Sequence, residues 1–288
     1  MIHSQKVVIE LLQSDVSSEQ YDPNSELTHW ADKLKVETVR FPSKIQNKHD
    51  FSHPAIAVNL DACIQCTRCV RACREEQVND VIGYAQRGIS SEIIFDLDDP
   101  MGTSTCVGCG ECVQACPTGA LMPSNKVGQV VPDKKVDSVC PYCGVGCLLT
   151  YNIKDDKILF AEGRDGPANM SRLCVKGRYG FNYVNSDQRL TVPLARKKGV
   201  SKDINPEDFD LNKIENYFEP ISWDEAIKRT TEKFKSLVMD DSRSTAGFGC
   251  AKGSNEEAYL FQKLVRTGFR NNNVDHCTRL CHASSVVA

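Results

Sequence analysis

Hydrophobic and polar positions recur with different periods along this chain. Near the N-terminus, VVIELLQSD and THWADKLKV predict two short helices, and KIQNKHDFSHPA predicts an extended segment after them. Further on, LLTYNIKDDKILFAEG alternates between apolar and polar residues and is interrupted at residues 154–157. A break of that kind between two alternating runs predicts a β-hairpin.

The C-terminal third has a helical period with capping signals. Ser222 followed by Glu225 predicts a capping box and a helix to about residue 239. TAGFGCA then predicts a buried strand, and Ser254 with Glu257 caps a second helix, AYLFQKLVRTGF. The residues expected on the inner side of that helix are Leu260, Phe261, Leu264 and Val265. Strand, turn and helix predict the start of an α/β layer, preceded by a surface loop over residues 196–216.

Composition narrows the class of protein. With 41% hydrophobic residues, 25% charged residues and a formal net charge of −3, the chain offers no basic surface for nucleic acid. The N-terminus shows no export signal, and no stretch approaches the roughly 18 apolar residues of a spanning helix. We therefore expect a cytoplasmic protein without a membrane span. Its fifteen cysteines are then predicted to be metal ligands rather than disulfides.

Two cysteine runs share one spacing. CIQCTRCVRAC at 63–73 and CVGCGECVQACP at 106–117 both read C-x2-C-x2-C-x3-C, which is the run of bacterial ferredoxins. In that pattern the fourth cysteine of each run binds the other cluster. One [4Fe-4S] cluster is then held by Cys63, Cys66, Cys69 and Cys116, and the second by Cys106, Cys109, Cys112 and Cys73. A pair of four-cysteine zinc sites is the alternative, although such sites separate their C-x2-C pairs by a longer spacer.

A domain of this size depends on its clusters. Roughly 65 residues bury too little to be stable unaided, so cluster binding is expected to hold the two runs together. We expect residues 74–105 to lead away from the first run as an insertion. No neighbouring residue has the character of a catalytic group, so the segment is predicted to relay single electrons.

A third set has a different spacing, C-x2-C-x3-C-x26-C. Its members are Cys140, Cys143, Cys147 and Cys174. Four thiolates around the predicted hairpin could hold a third [4Fe-4S] cluster at one end of a small sheet. A zinc ribbon also places cysteine pairs around a hairpin and stays an open alternative.

The last motif is VDHCTRLCHASS. Cys281 offers a soft thiolate that suits a transition metal, and the adjacent imidazole of His282 could take a proton. The alternative is a small zinc site of His276, Cys277, Cys281 and His282, because Cys277 and Cys281 would share one face of a helix. Cys277 alone and Cys250 are predicted to be small buried residues.

The order of these motifs, with CVKGR at 174–178 and ISWDEA at 221–226, resembles the molybdopterin oxidoreductases. VDHCTRLCHASS looks most like the catalytic subunit of cytoplasmic NAD-dependent formate dehydrogenases. The resemblance implies that Cys281 binds molybdenum, that His282 belongs to the formate site and that Lys176 lies between a cluster and a pterin. Implied cofactors are three [4Fe-4S] clusters and a molybdenum bis(molybdopterin guanine dinucleotide) centre.

The resemblance also implies the architecture. We expect an α+β chain: a helical lead-in at 1–55, a ferredoxin-like domain at 56–125, a small β-rich [4Fe-4S] domain at 134–195 and an incomplete molybdopterin-binding domain at 217–288. The chain would be a piece of a longer subunit and would need the rest of the molybdopterin-binding body.

The expected function is formate oxidation with transfer of electrons to a partner. Since no nucleotide-binding glycine motif occurs, NAD would bind to a diaphorase-type, flavin-containing partner subunit. Two alternatives remain open: an electron-transfer module without catalysis, and a nitrate reductase-like segment. Nitrate reductases of the superfamily that this chain resembles usually have methionine after the metal-binding cysteine. Histidine at position 282, directly after Cys281, therefore favours formate over nitrate as the substrate.

Overall fold

The computed structural model describes residues 1–16, 22, 25–43, 49–127, 131–250 and 252–277. Contacts divide the chain into a first unit, 1–141 with 145–185, and a second unit, 142–144 with 186–288. The helices of the first unit are α1 (Ile2–Ser14), α2 (Glu26–Leu34), α3 (Arg68–Arg71), α4 (Glu111–Ala115) and α5 (Val175–Tyr179). Its strands are β1 (His49–Asp50), β2 (Ile56–Asn59), β3 (Ile82–Ala85), β4 (Glu92–Phe95), β5 (Leu121–Pro123), β6 (Lys134–Val139), β7 (Leu148–Lys154) and β8 (Lys157–Gly163).

The second unit contains α-helices and short strands. Its strands are β9 (Leu194–Arg196), β10 (Phe218–Pro220), β11 (Gly247–Gly249) and β12 (Val274–His276), and its helices are α6 (Trp223–Asp241) and α7 (Asn255–Lys263). Strands β9 and β10 pair antiparallel, and β11 and β12 pair parallel. Among the described residues, no helix combines the length and apolar composition that crossing a membrane requires.

Both predicted N-terminal helices are present. Helix α1 begins at Ile2, earlier than the apolar run suggested. The Ser25 hydroxyl caps α2 by accepting the Thr28 backbone N–H at 3.1 Å. Lys35 ends α2 in a left-handed conformation with φ 52°. Of the predicted extended segment, residues 44–48 lie outside the described residues and 49–50 form β1.

The core of the first unit surrounds β2. All four residues of this strand are buried, because β1 and β5 pair with its two edges and the apolar residues of the cysteine runs pack against it. Val58 lies opposite Leu121 in the antiparallel register between β2 and β5. Strand β2 precedes the first cysteine run and β5 follows the second, so this pairing brings the two runs together.

The expectation that residues 74–105 lead away from the first run is wrong. Strands β3 and β4 form an antiparallel hairpin whose apolar face lies in the same core. The residues of this segment that are buried there are Val81, Ile82, Ile93, Phe95 and Met101. Alternation of buried and more exposed positions in β4 gives the hairpin one apolar face, and packing that face removes it from water.

The predicted hairpin is confirmed as β7 and β8, which pair antiparallel. A third strand, β6, pairs with β7 and completes a three-stranded meander. Sequence patterning missed β6 because its side chains are nearly all exposed and mostly polar. An edge strand of this kind contributes backbone hydrogen bonds without an apolar face.

Both predicted N-caps of the second unit are present, but of the capping box predicted at Ser222 and Glu225 the structure forms only the serine half. The Ser222 hydroxyl accepts the Glu225 N–H at 3.2 Å, while the Glu225 carboxylate pairs with Arg229. At α7 the box is reciprocal: Ser254 accepts from the Glu257 N–H, and the Glu257 carboxylate accepts from the Ser254 N–H at 2.6 Å. These caps satisfy amides that the first helical turn leaves without partners.

The predictions for burial around β11 are partly wrong. Val265 lies in the π-helical turn Leu264–Gly268, which continues α7; it is fully buried and packs with Phe261 against Gly247. Leu260 and Leu264 are 59% and 51% exposed, because each is rotated by one position from the Phe261–Val265 face that meets the strand. The strand itself is not wholly buried, since Phe248 is 78% exposed. Cys250 is also exposed rather than buried, and Cys277 is half-buried.

The stability of the second unit should depend on Val265 much more than on Leu260. We expect Val265→Ala to lower the free energy of unfolding by about 2 kcal/mol, because it removes buried methyl groups from the contact between the helix and β11. Leu260→Ala should cost less than about 0.5 kcal/mol, as is usual for surface positions. Urea unfolding followed by Trp223 fluorescence in a Trp30→Phe background measures both. Equal losses would contradict this assignment of the inner face.

Candidate iron–sulfur centres

Four cysteines from the two runs line one cavity. Cys63, Cys66 and Cys69 come from the first run and Cys116 from the end of the second, around a space of about 20 Å³. The wall is otherwise mostly apolar and includes Leu60, Ile64, Ile93, Pro117 and Leu121. The structure thus brings together the set of residues that the spacing predicts for the first cluster.

The two runs also share a backbone conformation. Gln65 and Gly108, which occupy equivalent positions between the first two cysteines of each run, have φ of 56° and 66°. Thr67 and Gly110, one residue after the second cysteine, have φ of 59° and 75°. Left-handed residues at both positions turn each loop tightly, and glycine adopts that conformation more readily than glutamine or threonine.

Amide hydrogen bonds to sulfur follow the same repeat. The Gln65 N–H donates to Cys63 Sγ at 3.4 Å, and the equivalent Gly108 N–H donates to Cys106 Sγ at 3.3 Å. The fourth cysteine of each run also accepts an amide: Cys73 from Val81 at 3.4 Å and Cys116 from Leu121 at 3.5 Å. Such donors stabilise negative charge on thiolates and influence the reduction potential of iron–sulfur clusters.

The predicted second set is also close together. Cys112 is a buried member of the core, and the thiols of Cys109, Cys106 and Cys73 all lie near enough to act on it electrostatically. Cys69 of the first set acts on Cys112 as well, so the two sets are neighbours. This proximity is what two adjacent clusters would require.

Burial changes the ionisation of these thiols. It raises the pKa of Cys69 to about 12, raises the pKa of Cys112 well above its usual value, and raises the pKa values of Cys106 and Cys109. Only a thiolate binds metal, so ligation at these positions must displace protons and supply positive charge to buried sulfur. Iron would provide that charge, which makes folding of this unit and cluster binding interdependent.

Three cysteines of the third set lie in the first unit: Cys140 directly after β6, Cys147 directly before β7, and Cys174 at the start of α5. Within the first unit, the Cys140 N–H donates to the Cys147 carbonyl at 2.9 Å, and Cys174 is the N-cap residue of α5. A Cβ added at Gly177 would lie 3.5 Å from Cys140 Sγ, so α5 contacts this cysteine directly. Cys143 is exposed and belongs with residues 142–144 to the second unit. Its part in the set stays a prediction.

Helix α5 also packs against the second set. A Cβ added at Gly108 would lie 3.5 Å from Val175 Cγ2, and one at Gly110 would collide with the Arg178 side chain. Glycine at position 110 therefore permits both the left-handed turn and this close approach. One short helix thus contacts Cys140 of the third set and the loop that carries Cys106 and Cys109.

A buried ion pair holds α5 in place. Arg178 Nη2 donates to Glu111 Oε1 at 2.6 Å, and the two side chains are only 3% and 8% exposed. Arg178 also donates to the Cys109 carbonyl and to Gln114 Oε1, both at 2.8 Å. The Leu173 N–H donates to Glu111 at 3.0 Å, so both charged groups have several partners.

Sequence reasoning did not single out these residues. Glu111 lies within CGECVQACP and Arg178 within CVKGR, but they are 67 positions apart and no spacing rule pairs them. Their nearness to cysteines was the available signal. An acidic residue inside one cysteine run and a basic residue after another can be matched only when the folded contacts are known.

The remaining predicted residues are placed as follows. Lys176 is exposed on α5. His276 ends β12 and is exposed, and Cys277 follows it. Cys281 and His282 lie outside the described residues, so their roles stay predictions. Over the described part of the chain, no three His, Cys, Asp or Glu side chains are grouped closely enough to hold a single metal ion; the cysteine sets described above are predicted to hold clusters.

Family models match three consecutive stretches. Residues 62–120 match the 4Fe-4S dicluster domain, residues 133–186 the molybdopterin oxidoreductase Fe4S4 domain, and residues 189–288 the molybdopterin oxidoreductase model. Together they define an iron–sulfur protein that contains the start of a molybdopterin domain. The chain belongs to the molybdopterin oxidoreductase family.

Two relatives carry the name "Putative formate dehydrogenase". The protein from Staphylococcus haemolyticus (strain JCSC1435) is 34% identical over 275 residues, covering 81% of this chain and 26% of its own length. The one from Staphylococcus aureus (strain bovine RF122 / ET3-1) is 32% identical over 295 residues, covering 88% of this chain and 28% of its own. The chain therefore spans about a quarter of the length of these relatives.

One solved structure is similar to part of this fold. The crystal structure of an NAD+-reducing [NiFe]-hydrogenase in the H2-reduced state matches with a TM-score of 0.40 and 22% identity, covering 46% of this chain and 59% of that chain. A likeness at this level indicates nothing about function.

The Glu111–Arg178 pair should be far more important to stability than an exposed pair. Arg178→Met leaves the buried Glu111 carboxylate without its cation, and we expect it to lower the free energy of unfolding by about 3–5 kcal/mol. The matched control is Arg172→Met, which removes the partner of Glu76 in an ion pair exposed at both ends. It should cost no more than about 1 kcal/mol.

Anaerobic urea unfolding measures the free energy of unfolding of Arg178→Met and Arg172→Met. Glu111→Gln introduced together with Arg178→Met should recover part of the loss, because the uncompensated buried charge is then removed. Similar losses for Arg178→Met and Arg172→Met would show that the buried pair has no special role.

Proposed function

We propose that this chain is the front segment of a formate dehydrogenase catalytic subunit and that it binds three [4Fe-4S] clusters. The observation that carries the cluster assignment is the cavity lined by Cys63, Cys66, Cys69 and Cys116, which come from two runs of one spacing. Four thiols in an apolar wall, with amides aimed at sulfur, suit a cluster of iron and sulfide. The dicluster and Fe4S4 family models support the same assignment.

The contacts support a route for single electrons. The third set is joined to the second by α5, which contacts Cys140 through Gly177 and the Cys109 loop through Arg178. The second set adjoins the first, because Cys69 acts on Cys112. An electron leaving the third cluster would reach the second and then the first. The limits expected for these regions, 56–125, 134–195 and 217–288, form part of the proposal.

The catalytic end rests on the resemblance and on the relatives' names. Cys281 would bind molybdenum through its thiolate, and His282 would hold or accept a proton beside it. A molybdenum bis(molybdopterin guanine dinucleotide) centre supplies the two-electron acceptor when bound. Lys176, exposed on α5, would lie between the third cluster and a pterin. The rest of the molybdopterin-binding body and an NAD-reducing, flavin-containing subunit would complete the enzyme, placed in the cytoplasm.

A second candidate function is electron transfer alone. It is favoured by the fact that every cysteine set brought together in the first unit belongs to a predicted cluster. In this case the C-terminal motif would make no contribution to catalysis. The two candidates differ in what happens at Cys281.

Iron analysis tests the clusters. We expect about twelve iron atoms per anaerobically purified chain, since each of the three four-cysteine sets would bind four. Removing iron with a chelator should unfold most of residues 56–125, because the buried thiolates then lose the positively charged iron that stabilises them. Circular dichroism and limited proteolysis measure this loss. Zinc in place of iron would contradict the relay.

Formate oxidation tests the catalytic end. Two pterin nucleotides need concave pockets built from several segments. We therefore expect the 288-residue chain alone to contain no stoichiometric molybdenum and to be inactive in a dye-linked assay. The same residues joined to the full molybdopterin body should oxidise formate, and Cys281→Ala should abolish that activity.

The matched control for Cys281→Ala is Cys250→Ala, which changes an exposed cysteine outside all the predicted sets. Activity that survives Cys281→Ala would favour the electron-transfer module. Molybdenum and turnover in the isolated chain would show that the site is complete within these residues.

A further inference from the structure

The hydroxyl of Tyr179 is buried and has no hydrogen-bond partner among the described residues. Tyr179 is the last residue of α5, the helix that begins directly after Cys174. A buried phenol usually finds an acceptor for its proton, and leaving it without one costs free energy. Phenylalanine would fill the same space without that cost, so the hydroxyl itself requires an explanation.

The position of this hydroxyl is defined by the second cysteine run. A Cβ added at Gly110 would lie 2.5 Å from Tyr179 Oη, so the oxygen faces the turn between Cys109 and Cys112. The ring packs against the core that contains Cys73 and Cys112. Because Gly110 has no side chain, the hydroxyl can lie directly against this turn.

The electrostatics agree with this geometry. The thiols of Cys112, Cys109 and Cys106 and the guanidinium of Arg178 all lie near enough to the Tyr179 hydroxyl to act on it electrostatically. A tyrosine hydroxyl has an ordinary pKa of about 10, so it carries its proton at neutral pH and can act as a donor. Three of the four predicted ligands of the second cluster act on this one oxygen.

A cluster would supply the missing partner. Sulfide and thiolate sulfurs accept hydrogen bonds, whereas the phenol has a proton to donate. We propose that the Tyr179 hydroxyl donates a hydrogen bond to a sulfur atom of the [4Fe-4S] cluster held by Cys73, Cys106, Cys109 and Cys112, and thereby raises its reduction potential. This inference rests on the proposed function, since it requires a cluster at the second set.

The hydrogen bond has a defined effect on electron flow. One-electron reduction adds a negative charge to the cluster, and a nearby donor stabilises that charge. Helix α5 connects Cys174 of the third set to Tyr179 beside the second. Tyr179 would therefore make the second cluster a better acceptor for electrons that leave the third. Arg178, its neighbour in the chain, holds the helix in position through Cys109 and Glu111.

Tyr179→Phe tests this inference in the anaerobically purified full chain. We expect the iron content to be unchanged and the midpoint potential of the second cluster alone to shift negatively. An EPR-monitored redox titration measures this potential. Cys106→Ser identifies the signal, because it replaces a ligand of that cluster only. The matched control is Tyr84→Phe, whose hydroxyl already donates to Gln65 at 3.2 Å and whose residue is 44% exposed. It should leave the second potential unchanged.

A second substitution keeps the test valid if Tyr179→Phe loses its clusters. Site-specific replacement of Tyr179 by 3-fluorotyrosine preserves the hydroxyl and makes it a stronger donor, so the potential of the second cluster should shift positively. Unchanged potentials in a fully loaded Phe or fluorotyrosine protein would overturn the inference, as would equal shifts at all three clusters. A wild-type chain without iron in the second set would instead overturn the proposed function.

Discussion

The buried contact between Arg178 and Glu111 determines how the iron–sulfur part of this protein is assembled. Glu111 is the first residue of α4, inside the second cysteine run. Arg178 lies four residues after Cys174, the N-cap residue of α5. Because neither charge could remain buried alone, each requires the other in its place. The pair therefore joins two separately patterned regions at residues that lie close to their cysteines in the sequence.

Cysteine chemistry imposes a second constraint. In the folded chain, burial favours neutral thiols at Cys69 and Cys112, but ligation requires thiolates. The fold compensates with amides aimed at sulfur and with tight left-handed turns at equivalent positions of both runs. These features prepare each loop for a positively charged iron core. The two runs have the same spacing and the same local backbone because each loop must meet the same requirement of binding a cluster.

Much of the local structure could be predicted because its causes are local. The caps at Ser222 and Ser254 and the β7–β8 hairpin follow from residues close together in the chain. The hairpin within residues 74–105 and the edge strand β6 could not be placed in the same way. Val81 and Phe95 show apolar character in the sequence, but only the folded core shows what they pack against. Strand β6 is polar, so its pairing alone reveals it.

The sequence by itself determined the class of chemistry. Cysteine spacing depends on how a short loop can reach a cluster, which is a property of neighbouring residues, and it selected the set of Cys63, Cys66, Cys69 and Cys116 that lines one cavity. Only the tertiary structure decided which groups surround the cysteines. Arg178 meets Glu111 across 67 positions, and Tyr179 meets the Gly110 turn. Such contacts depend on how separate elements pack, and burial gives them their strength because water is excluded there.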